Sequence, residues 1–535
     1  MGVKFKGLGG WWLVSLLSVC GFAAPSGDLR LVDAVKEQDK EAVRSLLQDQ
    51  ADVNATQADG TTALAWAAHR DDLDTAELLI RAGANVNAAN DYGVTPLSLA
   101  CTNRSAAMVE KLLKAGANPN AALWTGETPL MTCASTGSLE AVKLLLAQGA
   151  DVNWKENQEG QTALMWAVAE QQPEIVRALV ERGADVHARA KVTERSEPFI
   201  IKTGGIFGLN YRPNVHFPKS TGGFTALLFA AQQGGVESAR ILLSSRANVN
   251  DATAEDGSAL IVATASGHEK LALFLLENGA DPNAKDGYGI TALHYALHKG
   301  LLTLSGFKPS ATDDLGWLRP NMPELVKALL AHGADPNARI ASNFANLDHP
   351  FLARASEDHP QIDLEGATPF LLAAASGDVI SMRTLVEGRA DPKMTTLEGV
   401  SGFMVAAGLG TERGSRDEKS AIEAARLALA LGADVNEAKK EDGRTPLHAA
   451  AQLGWNEMIQ FLVDHGAKLD VKDMYGQTPL TIALGDPEGR LYRQLGSGRY
   501  DDRFRAGREN KKTAELLLKL GAPPFTGKVR DRSGE

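Results

Sequence analysis

Cysteine is nearly missing from this chain: Cys20, Cys101 and Cys133 are the only three in 535 residues. No two of them form a Cys-x-x-Cys pair, which excludes zinc ribbons and thioredoxin-type redox motifs. The chain also lacks a His-Glu-x-x-His signature, a Gly-x-Ser-x-Gly elbow and a glycine-rich phosphate loop ending in lysine. A reaction centre is therefore not expected, and neither is a cofactor. Basic residues are in deficit: 55 Lys and Arg face 66 Asp and Glu, for a net charge of −11. General nucleic-acid binding needs a surplus of lysine and arginine to displace counterions, so no nucleic-acid partner is expected, nor docking to anionic lipid. Beyond the first two dozen residues no apolar run reaches the roughly 20 residues that span a bilayer.

What is abundant is one recurring phrase, Leu-Leu-x-x-Gly-Ala. Aligned on its glycine, the phrase falls at Gln50, Gly83, Gly116, Gly149, Gly183, Arg246, Gly279, Gly333, Arg389, Gly432, Gly466 and Gly521, with a basic spacing of 33 residues. A sustained period of that length belongs to helical solenoids, in which no repeat buries its apolar face without its neighbours. Residues 92–121 display the unit. Thr95 and Pro96 read as an N-cap and first helical position, where proline gives up only an N–H that had no partner. Leu97, Leu99 and Ala100 line a short first helix, which Asn103 to Ser105 interrupt. Val109, Leu112 and Leu113 stand at i, i+3 and i+4 on one face of a second helix, and Gly116 supplies the left-handed residue that closes it. A turn-rich hairpin leads to the next unit.

These phrases resemble the ankyrin repeat. The opening recurs as Gly60-Thr61-Thr62-Ala63-Leu64, Gly126-Glu127-Thr128-Pro129-Leu130, Gly160-Gln161-Thr162-Ala163-Leu164, Gly223-Phe224-Thr225-Ala226-Leu227, Gly289-Ile290-Thr291-Ala292-Leu293, Gly443-Arg444-Thr445-Pro446-Leu447 and Gly476-Gln477-Thr478-Pro479-Leu480. The resemblance covers about residues 29–523, and the layout is similar to that of large secreted bacterial ankyrin repeat proteins. It implies an all-α solenoid: a polar-faced cap from about Leu29 to Asn54, then eleven repeats, for about twelve units joined by hairpins. It also implies a structural role for His294 and His448, the two places where the family histidine persists. Ala65, Ser98, Met131 and Met165 replace it elsewhere. Arg246 and Arg389 replace the closing glycine, so looser helix ends are expected there; the opening at Gly257, one residue short, is expected to stack irregularly. Trp66, Trp166, Phe229 and Tyr295 sit two residues past the repeat leucine, where core is the default.

At the N-terminus Lys4 and Lys6 precede an apolar run from Trp11 to Val19 and then small residues through Ala24. That order is the one of a secretory signal, residues 1–23, cut between Ala23 and Ala24 and followed by a short linker, 24–28. Cleavage takes away two lysines and no acid, leaving a net charge of −13 on a secreted or periplasmic protein with no stable membrane insertion. An uncleaved N-terminal membrane anchor is the alternative, and a lipoprotein attached through Cys20 ranks third. Cys101 and Cys133 occupy positions where alanine is usual, so two small buried thiols are favoured over a bond between them.

Five insertions lengthen the period: 189–222, 300–322, 340–365, 408–419 and 485–511, with a flexible tail at 524–535. The first and third enlarge hairpins; the other three fall between the helices of a unit. Long loops on a compact scaffold are where function concentrates. Insertion 189–222 carries six basic residues against two acidic ones, with Phe199, Phe207, Tyr211, Arg212 and Phe217 as candidate partner-binding residues. The opposing reading folds those aromatics back over neighbouring repeats. Insertion 340–365 carries one basic and five acidic residues, and repeats Asp-His-Pro at 348–350 and 358–360 in a spacing that matches no metal site. Insertion 485–511 sets Arg490, Arg493, Arg499, Arg503, Arg505 and Arg508 among Tyr492, Tyr500 and Phe504, nearly balanced by acids, and reads as a solvated loop. The sequence thus points to an exported scaffold that holds a protein or peptide on its hairpin side. The alternative is an architectural, self-associating envelope protein whose oppositely charged fingers pair.

Overall fold

The structure, a computed structural model, describes residues 28–194, 220–304, 319–341, 362–411, 416–485 and 510–526. Short helices alternate in pairs, and residue contacts divide the chain into two units that adjoin in sequence between Thr253 and Ala254. The shortened opening at Gly257 lies next to that boundary, although Ser258 still caps its helix by accepting from the Ile261 amide. Among the described residues the first unit holds six helix pairs, from Arg30–Lys36 with Lys40–Gln48 to Ala226–Gln233 with Val236–Ser244. The second also holds six, from Ala259–Ala265 with Glu269–Glu277 to Pro479–Ala483 with Lys511–Lys519. Within each unit first helices pack on first helices and second on second, which is the all-α repeat solenoid expected from the period.

After Arg30–Lys36, which begins at Leu29, each first helix starts on a hydroxyl residue. The side chains of Thr62, Thr95, Thr128, Thr162, Thr225 and Thr368 accept from the amide three residues on, satisfying a donor the helix leaves unpaired. The apolar faces are then removed from water: Leu97, Leu99, Val109 and Leu112 are buried, as are Trp66, Phe229 and Tyr295. Trp166 is a departure, only partly covered. Repeats are also joined by an asparagine ladder. Asn87 donates from Nδ2 to Gly116 O at 3.1 Å and accepts at Oδ1 from Asn118 N at 2.7 Å; Asn120 repeats this with Gly149 O and Asp151 N. One side-chain amide thereby acts as a piece of backbone between successive helix ends.

The second helices close through a left-handed residue, as at Gly116 (φ +92°). Arg246 and Arg389 adopt the same conformation at φ 70° and 71°, and Ala247 N and Ala390 N reach back to Leu242 O and Leu385 O at 3.0 and 2.8 Å. Gly83 closes its helix with a bond of 3.0 Å from Ala84 N to Leu79 O, so the arginine ends are no looser. The expectation of slack there is corrected: packing on both sides imposes the left-handed turn and the arginine absorbs the strain.

The insertion boundaries also shift. Residues taken as the start of the 300–322 insertion belong to a packed helix, His298–Leu304, that lies against Pro369–Ser376. A Cβ at Gly300 would collide with the Leu372 carbonyl, so glycine is what permits the approach. Insertion 408–419 ends in Arg416, whose guanidinium is buried. Its Nη1 donates to Ala374 O and Ala375 O at 2.9 and 2.6 Å, and its Nη2 to Val405 O and Ala406 O at 3.0 and 2.6 Å. One arginine thus caps the carbonyl ends of two adjacent first helices. Cys101 and Cys133 correct a further expectation: they are disulfide-bonded, with Cα atoms 4.7 Å apart. The helices Pro96–Thr102 and Pro129–Thr136 are direct neighbours, and each presents its cysteine to the other at bridging distance.

Candidate functional site

In the first unit successive hairpin tips are bound to one another through the backbone. Backbone bonds close the tips, from Gly93 N to Asn90 O and from Gly126 N to Leu123 O, both at 2.8 Å, and some tips add a side-chain acceptor. Asn90 Oδ1 takes the amides of Tyr92 and Val94 at 3.0 and 2.9 Å. The next amide along each tip points outward and donates to the tip before it: Asp91 N to Asp59 O at 2.9 Å, Trp124 N to Tyr92 O at 3.1 Å, Asn157 N to Thr125 O at 2.9 Å and Lys191 N to Glu159 O at 2.6 Å. One backbone bond per repeat fixes the spacing of the tips and leaves the side chains at positions 91, 124, 157 and 191 exposed. Trp124 is 67 % exposed there. Trp154, 37 % exposed, donates from its indole Nε1 to Gly126 O at 2.9 Å and so leans on the finger that carries Trp124.

The hairpin 151–162 is one residue longer than its neighbours and explains the gap of 34 between Gly149 and Gly183. Glu156 takes the place of the usual Asn or Asp, and its longer arm accepts from the amides of Gln158, Glu159 and Gln161 at 2.6, 2.9 and 2.7 Å. Burial raises the Glu127 carboxyl above the ordinary range, and the nearby Glu156 charge adds to the effect; burial alone raises Glu170. On the first helices, Trp66 donates its indole N–H to Gln57 Oε1 at 2.9 Å, whereas the equivalent Trp166 N–H is buried with no acceptor among the described residues. In the second unit Leu397 and Met474 hold the same tip position as Trp124. They donate to Glu365 O and Asp442 O at 3.0 and 2.7 Å and are 59 % and 61 % exposed.

Phe199, Phe207, Tyr211, Arg212 and Phe217 lie outside the described residues, as do both Asp-His-Pro motifs and the arginines from 490 to 508. Only the stem of the first insertion is described. Strands Val192–Glu194 and Ser220–Gly222 pair antiparallel with Val192 opposite Gly222, which makes this insertion an enlarged hairpin. Arg189 anchors its base, donating to Gly223 O, Ala252 O and Asp251 Oδ1, each at 3.1 Å. His294 and His448 are fully buried. Each accepts at Nδ1 from the amide of its capping threonine, so Nε2 carries the proton and donates to the next repeat, His294 to Ala338 O and His448 to Gln477 O, both at 3.1 Å. Burial lowers the His294 pKa to about 4 and lowers that of His448, so both rings are neutral structural ties. Among the described residues no group of three His, Cys, Asp or Glu is placed to hold a metal, and no helix is long and apolar enough to cross a membrane.

Sequence reasoning named the insertion and missed Trp124 and Trp154. The signal was present: Trp124 stands two residues before Gly126, at a tip position that is exposed in the neighbouring repeats too, at Asp91, Asn157 and Lys191.

Comparison with known families bears on what such a surface is for. The model for "Ankyrin repeats (3 copies)" matches residues 31–123, 120–190, 206–286 and 416–490, and that for a single ankyrin repeat matches 288–340. The chain is 28 % identical over 283 residues to the E3 ubiquitin-protein ligase KEG of Arabidopsis thaliana, covering 49 % of this chain and 16 % of that protein. It is 30 % identical over 237 residues to human ankyrin repeat and SOCS box protein 16, covering 42 % of this chain and 47 % of that one. The chain therefore spans less than half the length of either relative. Among solved structures, the human ASB11 ankyrin repeat domain is 25 % identical with a TM-score of 0.38, covering 47 % of this chain and 98 % of that domain.

Proposed function

This chain belongs to the ankyrin repeat family, a fold that generally mediates protein–protein interaction, and we propose that it is an exported scaffold gripping a protein or peptide along its hairpin tips. One observation carries the reading: Trp124 stands exposed on a tip held in place by backbone hydrogen bonds. A rigid, exposed tryptophan is the side chain best suited to anchor a partner, because it buries a large area while losing little conformational freedom. Insertion residues Phe199, Phe207, Tyr211, Arg212 and Phe217 follow the stem strand Val192–Glu194 in sequence, within a basic segment of an acidic protein. No catalytic step is assigned to the chain. Export rests on the order of residues 1–23, with an N-terminal membrane anchor as the alternative.

The test is capture of a partner from the native envelope by three proteins: the parent, Trp124→Ala, and a variant lacking residues 196–219. The reading expects both variants to keep the parent's helical circular dichroism and melting temperature while losing the captured protein. Undiminished capture by both removes the proposal. The opposite net charges of insertions 189–222 and 340–365 favour a second reading, self-association through paired fingers. Light scattering that shows a monomer at every ionic strength removes that one.

A further inference from the structure

The Cys101–Cys133 bond sits where no outside thiol reaches it. Both residues are fully buried. Helix Pro96–Thr102 is packed between Ala63–His69 and Pro129–Thr136, and helix Pro129–Thr136 between Pro96–Thr102 and Ala163–Ala169, so each cysteine has a first helix on either side. Leu99, Ala100, Met131 and Ala134, near them in the same two helices, are buried as well. Thiol–disulfide exchange requires a thiolate to approach a sulfur directly, and an apolar enclosure both blocks that approach and keeps a thiol protonated. The folded repeats therefore hinder the making of the bond as strongly as its breaking.

We propose that this bond is made by thiol–disulfide exchange while the chain is still open, before the third and fourth helix pairs close over it. The partner is then an oxidised dithiol protein of an oxidising compartment, acting on the unfolded chain. The thiolate of one cysteine attacks the partner's disulfide, forming a mixed disulfide and releasing one partner thiolate. The second cysteine's thiolate displaces the other partner sulfur. The chain loses two protons and two electrons, and the partner leaves as a dithiol. Closure in this order staples two adjacent repeats across 32 residues of sequence, a span that includes the hairpin bearing Trp124. It also places folding of the chain in a compartment where thiols are oxidised, a conclusion independent of what the scaffold binds.

The experiment uses the full chain with Cys20→Ser, so that free thiols report this pair alone. Reduced, unfolded chain is refolded with oxidised glutathione and a thiol–disulfide oxidoreductase either present from the start or added after refolding. Thiols are then trapped with N-ethylmaleimide under denaturing conditions and counted by mass. Oxidant present from the start is expected to leave no alkylated thiol, and oxidant added late to act about 100-fold more slowly. Should the reduced chain not fold, the oxidised chain is challenged with a reductant with and without denaturant, and the native protein is expected to release thiols about 100-fold more slowly. Equal rates in either format overturn the proposal, as does finding two free thiols in protein recovered from an oxidising compartment.

Discussion

The two units solve one problem by different means. Every short first helix ends with carbonyls that have no partner within the helix. In the first unit the link between the two helices of a pair stays short and the remedy is a small side chain from the next repeat: Asn103 donates from Nδ2 to Ala68 O and His69 O at 2.9 and 2.8 Å, and Thr136 donates to Cys101 O at 3.0 Å. In the second unit some connections between helices are enlarged, and at two of them the returning chain brings an arginine instead. Arg416 caps four carbonyls and Arg319 donates to Ala265 O. The first unit adds a disulfide, and the second has no cysteine at all. The comparison teaches that an ankyrin stack tolerates long insertions between its helices when the inserted chain returns a donor long enough to reach the exposed helix ends.

That contrast is breakable unit by unit. The largest effect is expected from Cys101→Ala with Cys133→Ala, which frees a loop of 32 residues in the unfolded chain and lowers the stability of the first unit by about 3–4 kcal/mol. Denaturant titration followed by hydrogen exchange, resolved by segment, reads the loss and checks that the second unit keeps its midpoint. Next comes Arg416→Met, which leaves buried carbonyls without donors and should cost the second unit about 3 kcal/mol, against about 1 kcal/mol for Asn103→Ala in the first. Equal costs would show that insertion and short loop cap their helices alike.

Acid sharpens the comparison further. The unfolded chain protonates His294 near its ordinary value of about 6.5, while the folded ring resists until about 4. Between these values the unfolded state binds a proton that the folded state does not, so the second unit keeps its full stability above 6.5 and loses it as the pH falls toward 4. His448 acts in the same direction. Ala65, Ser98, Met131, Met165 and Leu228 hold this position in the first unit, which should be less sensitive. His294→Gln should flatten part of the second unit's pH profile, by an amount on the order of 2 kcal/mol. The smallest effect is a gain: Arg389→Gly relieves a left-handed arginine and should stabilise the second unit by about 0.5–1 kcal/mol, readable as a higher urea midpoint.

Much of the fold was legible because it is written locally and repeatedly. Thr95, Pro96, Leu112 and Gly116 each announce their role within a few residues, and the same phrase elsewhere corroborates it. The candidate site was less legible. Phe199, Phe207, Tyr211, Arg212 and Phe217 stood out by composition, whereas Trp124 is a single residue in an otherwise regular hairpin. Its exposure depends on the neighbouring tip at Tyr92, to which its amide is bonded. The disulfide was misjudged for a related reason: thirty-two residues of separation say nothing about two Cα atoms 4.7 Å apart.

Period, caps and apolar faces are properties of short stretches of chain, so the sequence alone determined that helix pairs would form and that they would need one another. Which donor reaches which carbonyl, which cysteine meets which, and which aromatic is left in water depend on residues a whole repeat or more apart. Those outcomes belonged to the tertiary structure, because only stacking brings such residues within a few ångströms.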